Sequence, residues 1–331
     1  HPYVRARLAF AEGKALADLS RYPEAEGAFR HAAQFAATSH DRYGLSEAWI
    51  ELMTILGREL DRKLEAKTLA MATRDYVAES SPGVAIESKL EQNLGYVAEL
   101  EGEYDASKRH HEKAIELAES LYGGASPRLV TYWGALAHTL RMRGDFTTSE
   151  QTYTRALELA RAAYTEQHPV VVKTMADIAM IAALQEQYAK SKALNLDVLQ
   201  RDRRVFPKQH LAIATVLNNL GTAEYQLDDL NDARAHFEEA LEIERSILGD
   251  EHQRVARIIA NLAGIDMDLG KLQASEEGYR RALSMRVKVF GADHIENAPI
   301  LTNLATVVEM QKRFREALAL YSESLAVREK T

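Results

Sequence analysis

Residues 210–252 read HLAIATVLNNLGTAEYQLDDLNDARAHFEEALEIERSILGDEH. The stretch begins at His210 and ends at His252, and the same step of 42 residues leads back to His168 and forward to His294. A second series with this period consists of small residues that each follow Leu or Ile: Gly95, Ala137, Ala179, Gly221, Ala263 and Ala305. Two independent series with one period indicate that the chain is built from internal repeats.

Each repeat has the spacing of a helical hairpin. Leu230 follows Gly221 by nine residues, Ala233 comes three residues later, and Ala240 seven after that. Spacings of three, four and seven place side chains on one face of an α-helix, and small residues among large ones let two helices approach closely. A turn with Gly or Asp, such as Asp228-Asp229, then separates the two helices.

The order Asn-Leu-Gly, a Gly or Asp turn, Tyr, Phe or Leu, a small residue, an aromatic residue and Ala-Leu resembles the tetratricopeptide repeat (TPR). The period and the junctions 248–252 and 290–294 resemble the longer-helix variant of kinesin light chains and many bacterial arrays. The resemblance implies an all-α fold, a TPR solenoid that forms a right-handed superhelix of about eight helical hairpins. It predicts a single array over residues 1–331, with repeats at approximately 6–46, 47–87, 88–129, 130–171, 172–213, 214–255, 256–297 and 298–331. The second repeat matches the pattern only loosely.

Composition excludes several classes of protein. The chain contains no Cys, so disulfides, thiolate nucleophiles and Cys-bound metal sites are excluded. A formal charge of -8 argues against binding to nucleic acid or to an anionic membrane, because both need a basic surplus. The longest apolar run, Ile178–Leu184, is far short of the roughly 18 residues typical of a membrane span. With no basic and apolar leader at the start, we expect a cytoplasmic protein.

The His series is interpreted as capping or packing at the helix junctions. Equivalent points in successive repeats should lie about one helix layer apart, on the order of 8–10 Å, whereas zinc ligands lie within about 2.1 Å of one ion. The sequence also lacks His-Glu-x-x-His, a phosphate-binding Gly-rich loop and Gly-x-Ser-x-Gly. We therefore expect no catalytic residues, no metal and no cofactor. An enzyme site at the divergent second repeat, around Trp49, Glu51 and Arg58, is the least favoured alternative because these residues have no catalytic spacing.

In TPR proteins that this chain resembles, the first helix of each pair lines a concave groove that holds peptides. The resemblance implies a binding role for the residue two before each small position: Asn93, Asp177, Asn219, Asn261 and Asn303. Neighbouring positions add Lys89, Tyr96, Arg141, Lys173, Asn218, Tyr225 and Arg257. An Asn amide can pair with the main chain of an extended peptide of any sequence, although it can equally satisfy a neighbouring helix. The basic members predict a groove less negative than the whole molecule.

The favoured function is a non-catalytic protein–protein interaction scaffold. It would bind a partner protein or a peptide, acidic or mixed in charge with an apolar anchor, in the concave groove. By analogy with similar arrays, it would form the regulatory part of a larger signalling protein such as a Ser/Thr kinase. The alternative is a sensor for a short signal peptide that controls an attached or partner effector. A closed pocket with aromatic walls would favour the sensor.

The C-terminal hairpin carries apolar residues with no following helix to cover them: Leu318, Leu325 and Val327. Repeat arrays need polar capping elements at their ends. We expect either a capping segment in the natural protein or end-to-end self-association through this hairpin.

Overall fold

The structure, a computed structural model, describes residues 1–330 and is all-α. The chain divides into two compact units, His1–Thr165 and Glu166–Thr331. The first unit contains α1 (Pro2–Asp18), α2 (Tyr22–Thr38), α3 (Arg42–Thr54), α4 (Lys63–Ser80), α5 (Val84–Leu100), α6 (Tyr104–Tyr122), α7 (Leu129–Met142) and α8 (Phe146–Ala163). The second contains α9 (Pro169–Leu184), α10 (Tyr188–Val205), α11 (Leu211–Gln226), α12 (Leu230–Leu248), α13 (Gln253–Asp268), α14 (Leu272–Phe290), α15 (Ala298–Met310) and α16 (Phe314–Glu329).

Within each unit the helices pack as successive hairpins, each odd-numbered helix against the next even-numbered one, and each hairpin stacks on the following hairpin. This confirms the predicted all-α stack of hairpins. The small positions explain the close packing: a Cβ added at Gly221 would lie 3.0 Å from the Phe237 ring. Phe237 is buried, so glycine lets the aromatic ring of α12 pack directly on the backbone of α11. The division of residues 1–331 into one array with the stated repeat boundaries stays a prediction.

The periodic His residues are helix caps, as expected. Their Nδ1 atoms accept the backbone N–H two residues later, at 3.2 Å for His168, 3.1 Å for His210, 3.1 Å for His252 and 3.3 Å for His294. A side-chain acceptor at this position satisfies an amide that has no partner within the helix. Among residues 1–330, no group of three or more His, Asp or Glu side chains is arranged to hold a metal ion.

The second repeat differs from the others at the end of its first helix. There α3 continues into a π-helical turn, Ile55–Glu59, before α4 begins at Lys63. A π turn takes up an extra residue and therefore shifts which side chains face the neighbouring helix. Trp49 of α3 packs edge-on against Tyr76 of α4, with ring centroids 5.3 Å apart. The π turn lies within residues 47–87, the repeat that matches the pattern only loosely.

At the C-terminal hairpin, part of the sequence interpretation is wrong. Leu318 and Leu325 are exposed, but Val327 is only 3% exposed because it packs against Ala298 and Leu301 of α15. Val327 therefore belongs to the core of its own hairpin rather than to an uncovered face. None of the helices formed by residues 1–330 is both long enough and apolar enough to cross a lipid bilayer.

Candidate functional site

The second unit contains a cavity of about 480 Å³ that unites four of the residues singled out in the sequence. We call it the Arg257 cavity. The four are Tyr225 on α11, Arg257 and Asn261 on α13, and Asn303 on α15. The remaining lining residues mix aromatic, aliphatic and charged groups: Thr222, Gln226, Phe237, Ala260, Gly264, Tyr279, Arg286, Ile295, Glu296, Pro299 and Ile300. First helices of three successive hairpins therefore contribute to one cavity, together with residues of the second helices α12 and α14.

Arg257 is the unpaired cation of this cavity. Its two basic neighbours each have a carboxylate partner: Arg254 bonds Glu244 at 2.7 Å, and Arg286 bonds Glu296. No hydrogen bond or ion pair engages the Arg257 guanidinium within residues 1–330. Arg257 is exposed to solvent, and partial burial of its guanidinium lowers its pKa; the positive charges of Arg254 and Arg286 lower it further, against the opposing effect of the carboxylates. An anionic group entering the cavity would relieve this unbalanced positive charge.

The tyrosines of the Arg257 cavity supply hydroxyl groups and aromatic walls. The Tyr225 hydroxyl donates a hydrogen bond to Asp268 at 2.5 Å. Burial raises the pKa of Tyr279 to about 12, and the nearby charge of Asp268 acts in the same direction, while Asn303 opposes it. Burial also raises the pKa of Tyr225, together with the hydrogen bond to Asp268. Both side chains therefore remain neutral hydroxyl groups at physiological pH.

Three Asn residues of the predicted set form a chain between two repeats. The Asn261 amide donates to Asn218 Oδ1 at 3.2 Å, and the Asn218 amide in turn lies 3.5 Å from Asn219 Oδ1. Asn218 is buried and serves mainly to join the two helices. Within residues 1–330, the Oδ1 of Asn261 and the Nδ2 of Asn219 have no partner, so one acceptor and one donor remain for a ligand.

A second cavity, of about 340 Å³, lies among α9, α10 and α11. We call it the Asp202 cavity. It includes Lys173 and Asn219 from the predicted set, and most of its wall is apolar: Pro169, Val172, Ala176, Val198, Val205, Phe206, Ala212 and Val216. The exposed ammonium of Lys173 pairs with Asp177 at 3.1 Å, so these two predicted site residues largely cancel each other's charge. The buried carboxylate of Asp202 also lines this cavity.

The predicted residues of the first unit use most of their polar atoms within the protein. Lys89 pairs with Glu47 at 2.7 Å. Asn93 donates to the Lys89 carbonyl at 2.9 Å and accepts from the Thr54 hydroxyl at 2.5 Å. Asn93 therefore bonds within the protein rather than leaving its amide for a ligand, because both its NH2 group and its carbonyl oxygen have partners there.

The other two predicted residues of the first unit differ from each other. Tyr96 lies under the Arg58 guanidinium, 4.6 Å from the ring centroid, and its ring meets His111 edge-on. Arg141 is half-buried on α7, with its Nε buried and without a hydrogen-bond partner. Tyr96 is thus part of the packing between elements, and Arg141 keeps unused donor capacity.

Sequence reasoning overlooked the second helices of the hairpins. Asp202, Glu244 and Arg286 occupy the same position in three successive repeats, whereas the two preceding repeats have Ala118 and Ala160 there. All five positions are buried. A charged residue in a register otherwise filled by buried Ala was a signal available in the sequence, and it leads directly to the two cavities.

Comparisons with known proteins agree with the fold. The tetratricopeptide repeat profile matches residues 86–162, 128–204, 171–246, 212–265 and 254–330. No curated protein sequence matches the chain.

Several solved structures are similar. BtubC (BKLC) from P. vanneervenii is 21% identical with a TM-score of 0.58, covering 69% of this chain and 91% of its own. The apo form of RapI is 11% identical with a TM-score of 0.72, and the match covers 98% of both chains. A Rap protein complexed with competence and sporulation factor is 14% identical with a TM-score of 0.61, again over 98% of both chains. At these identities the likeness concerns the fold, and the matched repeats extend over most of the sequence. This chain belongs to the tetratricopeptide repeat family.

Proposed function

We propose that the chain is a non-catalytic interaction scaffold that binds a peptide, or an extended segment of a partner protein, along α9, α11, α13 and α15. The observation that carries this proposal is the unpaired guanidinium of Arg257 in a cavity with aromatic and aliphatic walls. Such a cavity suits a ligand that combines an acidic group with an apolar anchor. The whole molecule carries a charge of -8 and therefore repels an acidic ligand over most of its surface. A local cationic site would then determine where on the molecule the acidic group of the ligand docks.

The unused amide atoms support an extended ligand. Asn219 retains a donor and Asn261 retains an acceptor on neighbouring first helices. A peptide main chain offers one acceptor and one donor per residue, so these amides can hold it independently of its side chains. Specificity then comes from what enters the two cavities.

A short signal peptide is the second candidate ligand, in which case the chain would be a sensor controlling an attached or partner effector. The aromatic residues Tyr225, Phe237 and Tyr279 around the Arg257 cavity favour it. The similar Rap protein was solved with competence and sporulation factor, and the match extends over 98% of this chain. In either case we propose that the array is the regulatory part of a larger signalling protein, such as a Ser/Thr kinase.

The test is selection of peptides from a random displayed library on the intact chain, followed by affinity measurements on the selected peptides. We expect enrichment of Asp or Glu near an apolar residue. Arg257→Glu should weaken binding of such peptides by about tenfold or more, because it replaces the cationic partner with a repelling charge. Asn261→Ala should weaken the binding of peptides of any sequence.

The control is Arg315→Glu, which makes the same charge change at an exposed site on α16. It should leave the affinity unchanged. Unchanged affinity after charge reversal at both Lys173 and Arg257 would contradict the proposed site. Failure of the intact chain to enrich any peptide would contradict the proposed function.

We also propose self-association of the chain through α16. Phe314, Leu318 and Leu325 are 63%, 67% and 56% exposed and recur at spacings of four and seven residues. That spacing places them on one helical face, and a contiguous apolar face favours contact with another protein surface.

A further inference from the structure

Three successive second helices carry a buried charged residue at the same position. In two of these repeats the residue forms an ion pair, and in the third it has no such partner within residues 1–330. Glu244 on α12 pairs with Arg254, ten residues later at the start of α13. One repeat further on, Arg286 on α14 pairs with Glu296, again ten residues later. The charges are exchanged, but the positions and the pairing are the same.

In the preceding repeat the acid is present and its partner is missing. Asp202 occupies the position of Glu244, and the residue ten places later is Ala212. Asp202 is 7% exposed, and no side chain within residues 1–330 donates a hydrogen bond to its carboxylate. Both Asp202 and Ala212 line the Asp202 cavity. The cavity thus lies where Arg254 lies in the next repeat.

Two neighbouring basic residues do not complete this pair. His210 uses its Nδ1 to accept the Ala212 N–H at 3.1 Å, as the cap of α11. Lys173 pairs with Asp177. Burial raises the pKa of Asp202, and His210 opposes this only in part. An unpaired buried carboxylate is costly, and a cation that reaches it from outside gains a strong interaction.

We propose that the Asp202 cavity binds the side chain of a Lys or Arg residue of the ligand, whose cationic head takes the place of the Arg254 guanidinium in the incomplete pair. The apolar wall supports the choice of a side chain. Val172, Val198 and Val216 are buried and line the space that an aliphatic stem would fill. This inference rests on the proposed function and assigns the chemistry of one of its subsites.

The two cavities share α11, which indicates how long a ligand that reaches both must be. Asn219 lines the Asp202 cavity and Tyr225 lines the Arg257 cavity, six residues apart on α11. Six residues of helix rise by about 9 Å, a distance that an extended peptide covers in about three residues. An extended segment of at least about three residues is therefore needed to reach both cavities.

The displayed-library selection tests this on the intact chain and on Asp202→Asn. We expect peptides selected on the unmodified chain to have Lys or Arg at one position, and peptides selected on Asp202→Asn to lose that preference while keeping the acidic one. Replacing the selected Arg by citrulline, which keeps the shape and removes the charge, should weaken binding about 10- to 100-fold on the unmodified chain. On Asp202→Asn the same replacement should have little effect. The matched control is Asp197→Asn on the same helix, whose carboxylate pairs with Arg201 outside this cavity.

The outcomes separate this inference from the proposed function. Selected peptides without a basic position, or a basic preference that survives Asp202→Asn, would overturn the Asp202 assignment and leave the scaffold intact. Affinity that falls on acetylation of the peptide N-terminus, but not on citrulline replacement, would overturn the side-chain assignment in favour of a terminal ammonium. No enrichment at all would overturn both proposals.

A second measurement needs no ligand. Ala212→Arg places in the chain the arginine that the next repeat has at the equivalent position. The new arginine should pair with Asp202 and raise the melting temperature by about 2 °C or more. It should also abolish the preference for a basic residue in the peptides selected from the library. In the Asp202→Asn background, Ala212→Arg should give no such rise. An equal effect on melting in both backgrounds would show that Asp202 does not accept a guanidinium, and would overturn the inference.

Discussion

Glu99 on α5 lies among polar side chains that determine its protonation state. His138 Nδ1 is 3.3 Å from its carboxylate, the Thr139 hydroxyl donates to it, and His111 Nε2 lies 3.8 Å away. Burial alone would raise the pKa of Glu99, but these neighbours outweigh burial and hold the pKa at about 2. Glu99 is therefore an ionised, partly buried residue of the first unit and contributes to its stability.

The pH dependence of this contribution has a definite sign. Because the pKa of Glu99 is lower in the folded state than its ordinary value of 4.5, the stabilisation is present above that value and is lost as pH falls towards about 2. Glu99→Gln should lower the free energy of unfolding at pH 7 by on the order of 3 kcal/mol, and this difference should shrink below about pH 4.

Urea unfolding followed by circular dichroism at pH 7 and pH 3 measures the difference. Glu116→Gln on α6 is the control, because that carboxylate is exposed and makes only a surface ion pair with Lys113. Its effect should stay within about 1 kcal/mol at both pH values. A loss for Glu99→Gln that is equal at both pH values would rule out the stated protonation behaviour.

At the scale of helices, the small residue of each repeat determines how closely the two helices of a hairpin pack. A Cβ added at Gly95 on α5 would lie 2.5 Å from the His111 ring of α6, and His111 is fully buried. Gly95→Ala should therefore destabilise the protein by about 1–3 kcal/mol through overpacking, although alanine has the higher helix propensity.

Gly134 on α7 is the matched control for Gly95. Nothing lies within 4 Å of a Cβ added there. Gly134→Ala should gain helix propensity without a clash and stabilise the protein by up to about 1 kcal/mol. Thermal melting of the two variants checks both signs, and two shifts in the same direction would contradict the packing account.

At the scale of the whole molecule, the exposed face of α16 predicts that apparent mass depends on protein concentration. Leu318→Glu places a charge in the middle of the Phe314, Leu318 and Leu325 face and should reduce association. Leu64→Glu is the control, because Leu64 is 78% exposed on α4 as a single residue of a different hairpin. Light scattering over a concentration series measures the effect, and a strictly monomeric unmodified chain would exclude this association.

The repeat allowed much of the fold to be predicted from the sequence alone. The period, the small positions and the His caps predicted hairpins and their junctions correctly, because each depends on local spacing along one or two helices. The site was only partly predictable. Tyr225, Arg257, Asn261 and Asn303 do share a cavity, whereas Lys89 and Asn93 are engaged within the protein. Periodicity alone predicts the same role for every equivalent position. In the structure, the neighbouring residues determine whether the polar atoms at a given position are already bonded within the protein.

The sequence by itself determined that this is an all-α TPR protein, since side chains with a 42-residue period can be buried only by stacking equivalent hairpins. Only the tertiary structure decided which charges are paired. Asp202, Glu244 and Arg286 look alike in register, yet two find a partner ten residues later and Asp202 does not. The physical reason is that ion pairing depends on atoms brought within a few ångströms by folding, so a single Ala at position 212 changes a structural pair into a cavity with an unpaired acid.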